Sequence, residues 1–224
     1  MTSVAVMQPY FVPYAGYFRL FAAADIFVYF DCVQFPRRGW VHRNRFSLLD
    51  GDLDWLTLPI RRADFDARIE QMRFAEGASS KLESDMHRFP SLKRALRDHK
   101  TLMEPILDLG QQDLTEYLCN TLAFMRTQLG LEVRTLRSSS LEILPSLRGQ
   151  ERVLSIVKAV GGTRYINPPG GRELYDAAAF KQSGIELQFL TPYEGDMRSI
   201  LERLLQASPV TVAAEIRSQS RLIA

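Results

Sequence analysis

At 224 residues, 46% of them hydrophobic, the chain can bury one substantial core, and a formal charge of +2 leaves no overall field for nucleic acid or an anionic membrane. No apolar stretch approaches membrane-spanning length and no basic region followed by an apolar run opens the chain, so a cytoplasmic protein is expected. Two cysteines, Cys32 and Cys119, have neither close spacing nor a metal-ligand pattern and read as free thiols of a reducing compartment.

In chain order, Val4–Met7 reads as a short buried strand that stops at Gln8-Pro9 and gives way to a turn dense in aromatics and prolines. Tyr14–Ala24 reads as a helix, Ile26–Phe30 as a second strand ending on Asp31, and 37–45 as a loop with four arginines and no acid. Two alternating segments, Asp54–Ile60 and Arg68–Phe74, read as a β-hairpin. Residues 79–109 are charged and helical, interrupted by Pro90, and read as a peripheral lid. Leu114, Leu118, Leu122, Met125 and Leu129 form the stripe of an amphipathic helix over 113–129, capped by Gly130, with a strand over Leu131–Leu136. The last third alternates again: helix Arg148–Val160, strand Thr163–Ile166, loop Asn167–Gly171, helix around Arg172–Gln182, strand Ile185–Leu190 and a helical tail from Asp196 to Gln206. This alternation predicts an α/β protein with a Rossmann-like, mainly parallel sheet. The expected organisation is a single domain over 1–224 with a hairpin and helical segment inserted at about 47–110.

Open α/β sheets bind ligands just past the carboxyl ends of their strands, and three groups of residues fall there. The first is Gln8, Tyr10, Tyr14, Gly16 and Tyr17, after strand one and opening the first helix. Nucleotidyltransferases of the HIGH superfamily place a His-x-Gly-His motif at this position. Here the spacing reads Tyr14-Ala-Gly-Tyr17, which keeps the glycine and a helix N-terminus able to hold an anion but supplies phenols without positive charge. That argues against ordinary adenylyl transfer. The second group is Asp31-x-x-Gln34 with Trp40-Val-His-Arg-Asn44. Asp31 and His42 are the candidate general bases, Arg43 suits a carboxylate or phosphate, and Trp40 offers a stacking face. The third is Ser139, Arg152, Asn167 and Gly170, where hydroxyls, glycine amides and a guanidinium can cradle a phosphate or simply form turns. No histidine–carboxylate spacing points to a metal, and no cofactor is indicated.

With these residues in view, the chain resembles the WbqC-like family. The resemblance rests on Met7-Gln-Pro-Tyr-Phe-x-Pro-Tyr-x-Gly-Tyr-Phe18, Asp31-x-Val-Gln34, Trp40-Val-x-Arg-Asn44, and Arg164-Tyr-Ile-Asn-x-x-Gly-Gly171 with Leu174-Tyr-Asp176 and Phe180. Members are typically encoded among genes for O-antigen and other surface-polysaccharide or natural-product assembly, often near sugar aminotransferases. The resemblance therefore implies a small-molecule role in such a pathway, with acyl or aminoacyl transfer to an amino sugar as one form of it; it supplies no mechanism. Three readings follow. One is a transferase acting on a nucleotide-linked amino sugar or related amine, the second a non-catalytic nucleotide or nucleotide-sugar binding partner of a pathway aminotransferase. The third, an aminoacyl transferase using charged tRNA, draws on the arginines of 37–45 and the basic 88–100, against a near-neutral total charge.

Overall fold

The computed structural model of the protein describes residues 1–110 and 113–223. Its centre is a six-stranded sheet of β1 (Ser3–Met7), β2 (Ile26–Tyr29), β5 (Arg134–Arg137), β6 (Arg164–Asn167), β7 (Glu186–Leu190) and β8 (Leu222–Ile223). The order across it is β5-β2-β1-β6-β7-β8, parallel throughout except for β8. The near-continuous apolar runs of β1 and β2 are what a parallel sheet covered on both faces requires. Alternate residues supply the two cores. Ala5, Phe27 and Tyr29 join one apolar cluster, while Val4, Val6, Ile26 and Val28 join the other.

On the first face lie α1 (Ala15–Ala23), α5 (Leu114–Gln128), α8 (Ile200–Gln206) and α9 (Pro209–Ser218); on the second lie α6 (Gly149–Ala159) and α7 (Ala177–Gln182). The chain leaves β1 toward β2 on one side and later returns to β1's other side as β6. That reversal opens a crevice between the carboxyl ends of β1 and β6, the place where doubly wound sheets bind ligands.

Between β2 and β5 the chain makes a hairpin, β3 (Arg43–Ser47) with β4 (Leu53–Thr57), and then α2 (Ala78–Met86), α3 (Pro90–Asp98) and α4 (Lys100–Leu107). The hairpin differs from the one expected over 54–60 and 68–74. Its first strand is the arginine-rich stretch read as loop, because Asn44 and Phe46 point inward while Arg45 stays exposed. Arg68–Phe74 instead forms a 3-10 turn at Ile69–Gln71, with single bridges of Arg68 to Gln34 and Phe74 to Ile60. The charged helices are no lid either. Leu82, Met86, Phe89, Leu92, Ala95, Met103 and Ile106 are buried in the same cluster as α1 and α5. Smaller shifts affect the last third: the helix expected from Arg172 is a 3-10 turn over Pro169–Leu174 followed by α7, and α9 and β8 extend the chain beyond the expected tail.

Candidate functional site at the β1–β6 crevice

A cavity of about 470 Å³ opens at this crevice. Its floor comes from the turn and helix after β1: Met7, Tyr10, Phe11, Pro13, Tyr14, Gly16, Tyr17 and Leu20. Pro168, just past β6, closes one side, and Met197 and Arg198, ahead of α8, close another. The hairpin forms the roof with Trp40, Arg43, Asn44, Arg45 and Leu53. The lining thus holds three arginines and no carboxylate. Tyr14 and Gly16 belong to the start of α1, whose first turn carries no acidic side chain, so the positive end of the helix dipole meets the cavity.

The turn that makes the floor is strained and braced from two sides. Val12 has φ +38°, the only non-glycine among the described residues on that side of the map. For a β-branched residue this is a genuine outlier, costing on the order of 1–3 kcal/mol. The Val12 carbonyl accepts from Asn44 Nδ2 at 2.6 Å and from Ser199 Oγ at 2.7 Å. Asn44 is wholly committed, since Nδ2 also reaches the Phe11 carbonyl at 3.2 Å and Oδ1 accepts the Arg45 amide at 2.8 Å. The Tyr17 hydroxyl donates to the Gln8 carbonyl at 2.8 Å. Gly16 is required by its neighbour, because a Cβ there would overlap the Tyr14 ring. Burial raises the pKa of Tyr10, Tyr14 and, most strongly, Tyr17, so all three phenols are protonated donors at neutral pH.

The roof is an aromatic–cation stack. Trp40 and Trp55 have ring centroids 4.8 Å apart, the Arg43 guanidinium lies 4.0 Å from the Trp55 centroid, and that of Arg45 lies 4.8 Å from Trp55 and 5.6 Å from Trp40. Arg43 is also tied to the Gly39 carbonyl at 3.0 Å and the Arg38 carbonyl. Arg45 is exposed and makes no ion pair or side-chain hydrogen bond among the described residues. Arg198 pairs with Asp196, whose carboxyl is held down to about 2, first by its hydrogen bond from Arg198.

The structure therefore gathers Tyr10, Tyr14, Gly16, Tyr17, Trp40, Arg43 and Asn44 of the expected residues, and adds Met7, Leu20, Arg45, Leu53, Met197 and Arg198. The rest lie elsewhere. Asp31 is fully buried at the end of β2, where its carboxylate accepts from Arg137 Nε at 2.7 Å, Ser138 Oγ at 2.8 Å, the Ser139 amide at 2.8 Å and Ser139 Oγ at 2.6 Å. Arg152 is buried nearby and donates to the Cys32 carbonyl at 3.0 Å and the Pro145 carbonyl at 2.9 Å. His42 is buried against Phe35, its Nδ1 without a partner, and its pKa falls to about 4 because of burial and, secondarily, Arg43. Gln34 is exposed and donates to the Phe65 carbonyl, Asn167 is buried with its Oδ1 toward the Tyr165 hydroxyl, and Gly170 is exposed. Gln8 is half-buried and touches the site through its carbonyl. Among the described residues no three His, Cys, Asp or Glu side chains converge where a metal ion can sit, and no helix is long and apolar enough to cross a membrane.

A sequence model described as the WbqC-like protein family matches residues 8–196, a span holding all of the lining except Met7, Met197 and Arg198. An uncharacterized protein of Mycobacterium tuberculosis (strain ATCC 25618 / H37Rv), Rv1507c, is 26% identical over 199 residues, covering 87% of this chain and 84% of its own length. No solved structure matches the chain significantly.

Proposed function

The chain belongs to the WbqC-like protein family, and on that premise we propose that it is a transferase acting on a nucleotide-linked amino sugar, or a related small amine, in surface-polysaccharide or natural-product assembly. The supporting observation is the cavity at the switch point, where Arg43, Arg45 and an Arg198 paired with Asp196 stand over an aromatic floor. Both substrates of an acyl or aminoacyl transfer to such a sugar carry phosphate, and guanidiniums beside a helix N-terminus suit phosphate. The chemistry asks little of a protein base. The amine attacks the acyl carbon, the leaving group departs with the bond's electron pair, and the amine's proton follows it.

The test is incubation of the protein with nucleotide-linked amino sugars and acyl or aminoacyl donors, followed by mass spectrometry of the sugar. A mass gain equal to the transferred group, lost in Arg43→Ala, is the expected result. A second reading draws on the absence of a carboxylate or imidazole from the lining: a non-catalytic binding protein that serves a neighbouring enzyme of the pathway, an aminotransferase above all. Ligand binding with no turnover, in the presence or absence of that enzyme's product, selects this second reading.

A further inference from the structure

The side-chain groups left unengaged along the cavity are of one kind. Arg43 is held by the Gly39 and Arg38 carbonyls, Tyr17 by the Gln8 carbonyl, Asn44 by the backbone around it, and Arg198 by Asp196. The Trp40 indole N–H, the Arg45 guanidinium and the Tyr10 and Tyr14 hydroxyls line the same cavity and make no hydrogen bond or ion pair among the described residues. All four groups donate, and only the phenols can also accept. Such a lining suits a ligand rich in acceptor oxygens. The partners of Arg43 are neutral carbonyls, so its charge adds to that of Arg45 and favours an anion.

The accessible apolar surface of the cavity lies with Arg45 at the rim. Trp40, Leu53 and Met197 are 41%, 52% and 66% exposed, and the Arg45 guanidinium is 5.6 Å from the Trp40 ring centroid, the span of one ribose. The half-buried Tyr10 and Tyr14 belong to the floor. A flat aromatic group at the rim, an anion beside it and a hydroxylated ring toward the floor follow the order of groups in a nucleotide-linked sugar.

We propose that the cavity is the subsite for the nucleotide-linked sugar and that it does not discriminate among nucleobases. The base stacks on Trp40 beside Leu53 and Met197, the diphosphate meets Arg45, and the sugar's hydroxyl and amino groups meet Tyr10 and Tyr14. This rests on the transferase reading above and adds a selectivity to it. Each nucleobase presents an N–H along its pairing edge, and Trp40, Arg45, Leu53 and Met197 offer no side-chain oxygen or nitrogen to accept it. Stacking is blind to the base, since every base has an aromatic face. The sugar and the diphosphate therefore select the substrate.

Calorimetric titration of the full chain with UDP, ADP, GDP, uridine, pyrophosphate, geranyl diphosphate and UDP-glucosamine tests this. The three nucleoside diphosphates bind within roughly threefold of one another. Trp40→Ala weakens all three by roughly tenfold and leaves pyrophosphate unchanged. Arg45→Ala weakens them by roughly tenfold and leaves uridine unchanged. The double variant Tyr10→Phe and Tyr14→Phe removes two hydroxyls that hold nothing in the fold; it weakens UDP-glucosamine by roughly tenfold and spares UDP. Melting temperatures of the variants confirm folding. One base bound more than roughly tenfold tighter than the others overturns the proposal, as does geranyl diphosphate binding more tightly than UDP, which would seat a hydrocarbon at the rim. If no nucleotide binds while an amino sugar on another carrier is still modified, only the subsite assignment fails. If no nucleotide binds and no amino sugar is modified, the transferase reading fails with it.

Discussion

Two corners of the sheet's carboxyl edge carry arginines beside aromatic or hydroxyl groups, and they use them in opposite ways. At the β2–β5 corner Asp31, Arg137, Ser138 and Ser139 are spent on one another, and Arg152 is spent on backbone carbonyls. At the β1–β6 crevice Arg43 and Arg198 are likewise spent, on the Gly39 and Arg38 carbonyls and on Asp196, but Arg45, Tyr10 and Tyr14 line the cavity without a side-chain hydrogen bond or ion pair among the described residues. The first corner is a joint and the second opens on a cavity. Polar residues at strand ends mark both alike in a sequence; what separates them is whether a neighbour saturates them.

The sharpest way to break this contrast is Asp31→Ala. If the carboxylate is a joint, its removal leaves a guanidinium, two hydroxyls and an amide without their acceptor, and chemical denaturation shows a loss of about 3–5 kcal/mol. A folded, fully stable Asp31→Ala protein defeats the contrast. Next comes His42, whose folded value of about 4 lies below the 6.5 of an exposed imidazole. The unfolded chain binds the extra proton between these limits, so stability rises with pH there. Its contribution is complete above about pH 6.5, falls away as pH drops toward 4, and amounts to about 3 kcal/mol. Stability curves measured from pH 4 to 7 flatten in His42→Gln.

Gly16→Ala sharpens the cavity side. The new methyl displaces the Tyr14 ring, and calorimetry registers weaker ligand binding together with a loss of about 1–3 kcal/mol from overpacking. The smallest expected change in stability is that of Arg45→Ala, within about 1 kcal/mol by thermal denaturation, because the side chain is exposed and loses only its contacts with the Trp40 and Trp55 faces. A larger loss of stability places Arg45 among the joints.

The floor of the crevice was legible because it is local: one strand, one aromatic turn and the first helix turn lie within Met7–Leu20. The roof was half legible. Trp40, Arg43 and Asn44 stood out as types, but their polarity disguised a strand whose alternation, Asn44 and Phe46 in and Arg45 out, is plain once the Asp50-Gly51 turn is taken as a hairpin signal, with Gly51 at φ +91°. The same polarity hides Arg45 as a lining residue. Met197 and Arg198 reach the cavity from the far end of the chain, and no spacing rule connects them to Tyr14. The lid expected over 79–109 failed differently. Its charges dominate the composition, while Phe89, Leu92 and Ala95 carry the packing.

The strained peptide at Val12 also sets an order of events during synthesis. Its carbonyl is held by Asn44, 32 residues downstream, and by Ser199, 187 residues downstream. A ribosome that has released the sheet's first two strands and the hairpin has produced one of these two clasps. The second arrives only when the stretch ahead of α8 has left the exit tunnel, so the turn that floors the cavity is finished among the last parts of the molecule although it is written among the first.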